Sequence, residues 1–226
     1  MTWDAALDLV LGSACAACGL PGRALCFACE GALPREGRLA MPTPTPPGLV
    51  PVFAGGEYDA ALKSLVIAHK ERGRLALARP LGNLLAAVVA DLVPCGPVLL
   101  VPVPSSRPVV RARGHDPLLR ISLAAASSLR ADGRPAQVRR LLRSVRKPQD
   151  QAGLGHAARS ENLRGAFRAV RPPVSGPVVV VDDVVTTGAT VREAQRALED
   201  VGTLVTGIAA LAATRRRSLP IHARDD

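Results

Sequence analysis

Residues 178–190 read VVVVDDVVTTGAT, and no other stretch of the chain says as much about its architecture. The four consecutive valines predict a strand that is apolar on both faces, and such strands lie in the middle of parallel sheets covered by helices. A Thr-Thr-Gly turn leads into a predicted helix over residues 189–201, Gly202 ends that helix, and residues 204–211 supply another strand. This order predicts a parallel βαβ unit in an α/β domain.

The end of that strand and the turn after it form a candidate site for a sugar phosphate. Ligands bind at the carboxyl edge of parallel sheets, and a helix N-terminus attracts anions. Thr186, Thr187 and Thr190 add hydroxyl donors for a phosphate. Asp182 and Asp183 accept hydrogen bonds when ionised, which suits the 2- and 3-hydroxyls of a ribose. A phosphate beside a diol indicates ribose 5-phosphate.

Two other interpretations explain the stretch less well. A single Asp or Thr at a strand end commonly caps a helix, but capping does not account for thirteen residues together. The four valines followed by Asp also resemble the Walker B strand of nucleotide hydrolases. Such proteins need a Gly-x-x-x-x-Gly-Lys-Ser/Thr loop as well, and none occurs in the chain.

Other elements are predicted from periodicity. Residues 60–68, 80–92 and 117–129 predict helices, and residues 98–103 predict a short strand. The Arg-rich region that extends to Arg164 predicts a loop or hairpin with helical pieces. In the helix over residues 189–201, Val191, Ala194, Ala197, Leu198 and Val201 form one apolar stripe, and Glu193, Arg196, Glu199 and Asp200 lie off it.

Composition divides the chain into four parts. Residues 1–33 contain four of the five cysteines, and residues 34–51 are rich in proline, which favours extended, unpaired backbone and predicts a linker. Residues 52–217 predict the main domain and residues 218–226 a tail. No apolar run reaches the roughly 20 residues of a membrane-spanning helix, and the N-terminus lacks the basic region of a signal peptide. We therefore expect a cytoplasmic protein without a membrane span.

The positive charge is concentrated in one segment. The chain carries a formal charge of +10, and residues 107–171 hold fifteen Lys/Arg against four Asp/Glu. Such a segment can attract nucleic acid, and it can equally hold a pyrophosphate or another polyanionic small molecule. With three Phe, one Tyr and one Trp, aliphatic residues must fill the core, and we expect no aromatic platform for base stacking.

Several cationic and polar residues outside the central stretch are candidates for binding a pyrophosphate. They follow the strand over residues 98–103 or lie in the His-Lys-Glu-Arg-Gly segment, although a charge run of that kind is also typical of a solvated face. The candidates are Lys70, Pro104, Ser105, Arg107 and Arg113. Lys147 and Gln151 lie in a polar, Pro-broken loop that suits a flexible lid.

Two Cys-x-x-Cys pairs, Cys15 with Cys18 and Cys26 with Cys29, offer four thiolates for one tetrahedral Zn²⁺. A module of about 30 residues with few large apolar side chains needs such a staple in order to fold. Disulfides are the alternative, and a redox pair is disfavoured because no strand precedes either motif. Cys95 is isolated and is expected to be structural.

The stretch over residues 178–190 resembles the phosphoribosyl diphosphate signature of type I phosphoribosyltransferases, and the chain as a whole resembles the ComF family. The features that carry the second resemblance are the four cysteines, Lys70-x-x-Gly73, Pro-Val-Pro followed by Arg113-Gly114-His115, residues 151–162 and the Asp-Asp-Thr-Thr-Gly signature. Where many members read Arg-Gly-Phe-Asn-Gln, this chain reads Arg113-Gly-His-Asp-Pro117.

The resemblance implies a type I phosphoribosyltransferase fold behind a zinc module that uses the four cysteines. It implies that Asp182 and Asp183 are catalytic residues on the ribose, with Mg²⁺ bound alongside phosphoribosyl diphosphate. The implied phosphate-binding residues are Val184, Val185, Thr186, Thr187, Gly188, Ala189 and Thr190. The family is associated with uptake of single-stranded DNA in competent bacteria. Two alternatives stay open. One is a non-catalytic ligand-sensing or adaptor protein that binds such DNA or a DNA-processing helicase through the zinc module and the Arg-rich face, and the other is a homo-oligomer.

Overall fold

A computed structural model of the chain describes residues 14–105, 107–145, 163–170, 174 and 176–214. The helices are α1 (Phe27–Gly31), α2 (Ala60–Lys70), α3 (Ala78–Leu92), α4 (Arg107–Arg113), α5 (Pro117–Ala131) and α6 (Ala189–Glu199). The strands are β1 (Arg38–Leu39), β2 (Val52–Glu57), β3 (Val98–Pro102), β4 (Ala136–Val138), β5 (Leu142–Ser144), β6 (Phe167–Ala169), β7 (Val178–Val185) and β8 (Gly207–Ala213).

The main sheet has six strands in the order β1-β2-β8-β7-β3-β4. Among these strands, β1 pairs antiparallel with β2, and all the other neighbours pair in parallel. Strands β5 and β6 form a separate antiparallel pair. A mostly parallel sheet flanked by helices, with a four-cysteine module at the N-terminus, confirms the predicted fold class.

The central position of β7 follows from its sequence. All four residues of Val178–Val181 have no solvent exposure, because β8 covers one edge of the strand, β3 covers the other and helices pack on the sheet. Strand β8 has the sequence GIAALAA, and its small side chains let the layers approach closely. The parallel pairing of β7 with β8 around α6 confirms the predicted βαβ unit.

Helices α3 and α5 pack directly on each other. The close approach occurs at Gly82, where an added Cβ would lie 2.4 Å from the Cβ of Ala124. The helical stretch Leu75–Leu92 is long and apolar enough to cross a membrane. In the structure it is instead a core helix, since Leu77, Leu81 and Leu85 are fully buried.

Two local expectations are wrong. Arg38 and Leu39, inside the segment expected to be unpaired, form β1 and pair with β2. Glu193 lies off the apolar stripe of α6 but is only 5% exposed, because its carboxylate accepts the N–H of Phe167 at 3.2 Å and pairs with Arg196 at 2.7 Å. Burial of a charge requires such partners, which periodicity along α6 alone does not reveal.

Candidate functional site

Asp182 and Asp183 lie near the carboxyl end of β7, within the strand rather than after it. Their carboxylates stay in place through short-range bonds, since Oδ1 of Asp182 accepts the N–H of Asp183 at 2.8 Å and Oδ1 of Asp183 accepts the N–H of Val184 at 2.9 Å. Asp182 is 9% exposed. Each side chain therefore keeps one oxygen free of these backbone bonds.

Among the side chains that the structure describes, Lys70 is a cation in direct contact with the pair. It ends α2, 113 positions before Asp183, and its Nζ donates to Oδ2 of Asp183 at 2.5 Å. The two side chains are 39% and 18% exposed. This ion pair joins the end of α2 to the end of β7.

The carboxylates open into a cavity of about 310 Å³ at the carboxyl edge of the sheet. It is lined by Lys70, Val103, Pro104, Ser105, Arg113, Pro117, Leu118, Asp182 and Asp183. The fold thus gathers six of the predicted site residues from three separate parts of the chain. Because acidic and cationic groups line one small cavity, it suits a ligand that carries both hydroxyls and anionic oxygens.

The environment changes the protonation of the site. Burial is the largest influence on Asp182 and, together with the neighbouring charge of Asp183, raises its pKa to about 8, although Lys70 opposes the rise. Burial by itself would lower the pKa of Lys70, but attraction to Asp183 outweighs it and raises that pKa. Lys70 therefore stays charged, and Asp182 holds its proton more tightly than an ordinary aspartic acid does.

The corner between α4 and α5 contains residues 113–117, which depart from the pattern of the family that the chain resembles. Asp116 caps α5 by accepting the N–H of Leu119 at 3.3 Å, and Pro117 occupies the first turn of that helix. The hydroxyl of Ser105 also donates to Asp116, at 3.4 Å. Gly114 has φ +71°, which allows the chain to turn before the cap. The departing residues thus fix the loop that borders the cavity.

Two residues beside Lys70 contact the cavity wall but were not among the predicted site residues. His69 is 1% exposed, and its Nε2 lies 3.2 Å from the carbonyl of Pro117, while burial lowers its pKa. Both carboxylate oxygens of Glu71 accept hydrogen bonds from Nη2 of Arg113, each at 2.6 Å. These bonds orient the guanidinium at the cavity. Both residues adjoin Lys70 in sequence, and this adjacency is the only signal that could have indicated them.

The predicted phosphate turn follows Asp183 directly but does not line the same cavity. Gly188 has φ +75° and starts α6, whose first N–H groups have no partners within the helix. Thr186 is exposed and Thr187 and Thr190 are half-buried. The hydroxyl of Thr187 accepts the N–H of Ala189 at 3.3 Å. The turn therefore presents donors beside the aspartates at the same sheet edge.

The Pro-rich segment covers the inner side of this turn. A Cβ on Gly188 would lie 2.8 Å from Pro42 and 3.4 Å from Pro46, so no larger residue fits there without displacement. Gln195 of α6 is 1% exposed and ties the segment down, since it accepts the N–H of Val50 at 3.1 Å and donates to the carbonyl of Gly48 at 2.8 Å. The segment is thus packed against the predicted site.

Three predicted residues are not placed at the cavity. Arg107 starts α4, and only its backbone is described. Lys147 and Gln151 lie outside the described residues.

A larger cavity, of about 740 Å³, lies beside the carboxyl ends of β2 and β8. Its lining includes Arg35, Glu36, Arg38, Glu57 and Thr214, and none of the predicted site residues. Glu36 and Arg38 pair with each other at 2.5 Å while largely exposed. We assign the site to the smaller cavity because buried and oppositely charged groups converge there.

The four N-terminal cysteines form a separate cluster. The four sulfur atoms of Cys15, Cys18, Cys26 and Cys29 lie within 4.8 Å of one another, and those of Cys18 and Cys26 are 3.8 Å apart. Zn–S bonds of about 2.3 Å in a tetrahedron place sulfurs about 3.8 Å apart, so the cluster fits a zinc ion. A disulfide would bring two sulfurs to about 2.05 Å, and all five cysteines are free.

The thiols of the cluster share protons unevenly. Burial opposes ionisation of Cys15, but N–H groups of Cys26, Cys18 and Ala17 point to its sulfur and lower its pKa to about 6. Hydrogen bonds with Cys26 and Cys18 raise the pKa of Cys29 to about 12. The four cysteines would hold a metal ion as thiolates, so that its binding would release protons.

We expect one zinc ion per chain, held by the four cysteines. Cys18→Ser should reduce the zinc content of the purified protein well below one equivalent, because three thiolates hold structural zinc poorly. Cys95→Ser is the matched control, since Cys95 is exposed and lies outside the cluster. Metal analysis of both variants measures the effect, and equal zinc content in the two would contradict the assignment.

The raised pKa of Asp182 predicts a pH dependence of stability. Between the ordinary value of 3.8 and about 8, the folded protein holds a proton that the unfolded chain has lost, so the free energy of unfolding falls as pH rises through that window. The slope is at most about 1.4 kcal/mol per pH unit. Asp182→Asn should flatten it in urea unfolding between pH 5 and 8, whereas Asp132→Asn, at an exposed position, should leave it unchanged.

Comparison with known proteins agrees with this geometry. Residues 141–226 match the family described as Phosphoribosyl transferase domain. No curated protein matches the chain. The matched residues contain β7, the two aspartates, the Thr-Thr-Gly turn and α6. The chain therefore carries a type I phosphoribosyltransferase fold behind a four-cysteine module.

Proposed function

We propose that the chain binds phosphoribosyl diphosphate together with Mg²⁺ and transfers the phosphoribosyl group to an acceptor. The observation that carries this proposal is the cavity in which Asp182, Asp183 and Lys70 meet, directly before a turn rich in phosphate donors. The match of residues 141–226 to the phosphoribosyl transferase domain supports it. No other cavity of the described residues combines these groups.

The predicted roles follow from charge and position. Asp182 and Asp183 accept hydrogen bonds from the ribose hydroxyls, and the N–H groups and hydroxyls of residues 184–190 bind the 5-phosphate. Lys70 and Arg113 line the same cavity as the aspartates, where they can bind the diphosphate. Mg²⁺, when bound with the substrate, neutralises diphosphate charge. The ion prefers oxygen ligands, which the diphosphate and the ribose of the substrate would supply.

In the reaction the bond between C1 of the ribose and the diphosphate oxygen breaks, and a bond from C1 to the acceptor forms. The electron pair of the broken bond stays on the diphosphate, where Lys70 and Arg113 stabilise the growing negative charge. The aspartates hold the ribose so that C1 faces the acceptor. The contribution of the protein is therefore mainly positional and electrostatic.

We further propose that the chain is a cytoplasmic member of the ComF family that acts in DNA uptake or processing during competence. Support comes from the combination of the four-cysteine cluster with the phosphoribosyltransferase fold in one chain. We also propose that the chain divides after residues 33, 51 and 217 into a zinc module, a linker, the main domain and a tail. We propose in addition that Lys147 and Gln151 act from a flexible loop.

A second candidate function is a non-catalytic adaptor for single-stranded DNA or a DNA-processing protein. It is favoured by Phe27 on α1, which is 77% exposed and has the guanidinium of Arg23 4.0 Å above its ring. An exposed ring beside a cation suits base stacking and phosphate contact. Phe27 is thus an exception to the expected lack of stacking aromatics.

Isothermal titration calorimetry with phosphoribosyl diphosphate and Mg²⁺ tests the donor site. We expect binding by the wild type and a loss of about 10- to 100-fold in affinity for Asp182→Asn with Asp183→Asn, because charge-assisted hydrogen bonds to the ribose are removed. Asp132→Asn controls for a general loss of charge. Unchanged affinity of the double variant would overturn the site assignment.

Pyrophosphate release measured across nucleobases and amine donors then separates the two functions. Release that depends on an acceptor supports the transferase. Binding of the donor without release, together with salt-sensitive affinity for single-stranded DNA that Phe27→Ser weakens, supports the adaptor.

A further inference from the structure

The position of Lys70 depends on the turn that follows α2. The N–H of Arg74 donates to the carbonyl of Ala68 at 3.1 Å, and the carbonyl of Arg74 lies 3.1 Å from Nδ1 of His69. Arg74 therefore contacts the two residues that directly precede Lys70, from beyond the helix end at Glu71. A shift of Arg74 moves the backbone that presents the Lys70 ammonium to the cavity.

Arg74 also contacts the four-cysteine module. Its Nη1 donates to the carbonyl of Ala14, 60 positions earlier in the chain. Ala14 immediately precedes Cys15, whose sulfur accepts the N–H of Cys26 at 3.4 Å, and Ala14 forms an isolated bridge with Pro21. The carbonyl that receives Arg74 is thus part of the loop that carries the sulfurs.

A second contact holds the same turn to the cavity wall. Nε2 of His69 lies 3.2 Å from the carbonyl of Pro117, and Pro117 lines the cavity with Lys70. A neutral imidazole can donate from only one of its nitrogens, so His69 holds one of its two carbonyl partners at a time with a full hydrogen bond. The bond of the charged Arg74 guanidinium to Ala14 therefore adds a charge-assisted contact of this turn with the rest of the chain, beside the ion pair of Glu71 with Arg113.

We propose that Arg74 is a positioning residue through which the four-cysteine module sets the position of Lys70, so that zinc at the cysteines strengthens binding of phosphoribosyl diphosphate at the aspartate cavity. The proposal rests on the proposed donor binding and adds regulation of that site. Zinc orders the loop that carries the Ala14 carbonyl, and an ordered carbonyl fixes the Arg74 guanidinium. Since coupling between two binding sites is reciprocal, the donor must strengthen zinc binding by the same factor.

The test uses the full chain, loaded with zinc or treated with a chelator, in calorimetry with phosphoribosyl diphosphate and Mg²⁺. In the wild type we expect zinc removal to weaken donor affinity about tenfold, within the usual range of site coupling. In Arg74→Met the affinity of the zinc-loaded protein should already be weak, and zinc removal should change it little. Arg72→Met is the matched control, because Arg72 is an exposed cation of the same turn, and its response should equal that of the wild type.

A second measurement distinguishes positioning from a general loss of structure. Hydrogen exchange of the amides of residues 68–74 should speed up when zinc is removed from the wild type, and in Arg74→Met it should be fast with or without zinc. Exchange in β7 should stay slow in every sample, which a globally unfolded variant would not show.

The outcomes separate this proposal from the one on which it rests. If the zinc-loaded wild type does not bind the donor, the proposed function fails and the exchange of residues 68–74 alone decides the coupling. A wild type whose exchange in this turn ignores zinc, or an Arg74→Met variant that responds to zinc as the wild type does, would overturn the role of Arg74.

Discussion

The ion pair between Lys70 and Asp183 is the interaction on which the cavity depends. Two neighbouring carboxylates in a buried strand end repel each other, and burial makes each charge more costly. Lys70 relieves this repulsion, since it bonds to Asp183 and its charge also opposes the rise in the pKa of Asp182. The two carboxylates and Lys70 thus offer hydrogen-bond acceptors and a cation side by side, which suits a ligand with hydroxyl donors and anionic oxygens.

The parallel sheet is what allows this arrangement. Strands β3 and β7 run in the same direction, so the residues after both strands reach the same edge, and α2 ends there as well. An antiparallel neighbour would have placed the β3 loop at the far edge, away from the aspartates. The central position of β7 then removes water from the strand behind them, which accounts for the burial of Asp182.

The sequence predicted the frame of the fold and the acidic centre of the site. Runs of valine and the Asp-Asp-Thr-Thr-Gly pattern are local signals, and the structure places them at the middle strand and its end. The short strands β1 and β4 and helix α4 have no comparable local signal, because their pairing and burial come from distant residues. Glu193 shows the limit clearly, since its partner Phe167 is 26 positions away.

The site, like the fold, could be predicted only in part from the sequence. Lys70 and Arg113 were candidates because they are cations near glycine turns, but their partners Asp183 and Glu71 could not be paired from the sequence. His69 and Arg74 carried no motif, and only their contacts with carbonyls elsewhere in the chain reveal them. Predictions from the sequence therefore identified which residues carry charge, and the fold determined which charges meet.

The packing of the Pro-rich segment on Gly188 has a consequence for how the protein can be shortened. A chain cut just before β2 would lose Pro42, Pro46 and the backbone partners of Gln195 in one step. The underside of the Thr-Thr-Gly bend would then face water, and the freed amide of Gln195 would need new partners. Removal of the Pro-rich segment would therefore destabilise the domain that the shorter chain was meant to isolate.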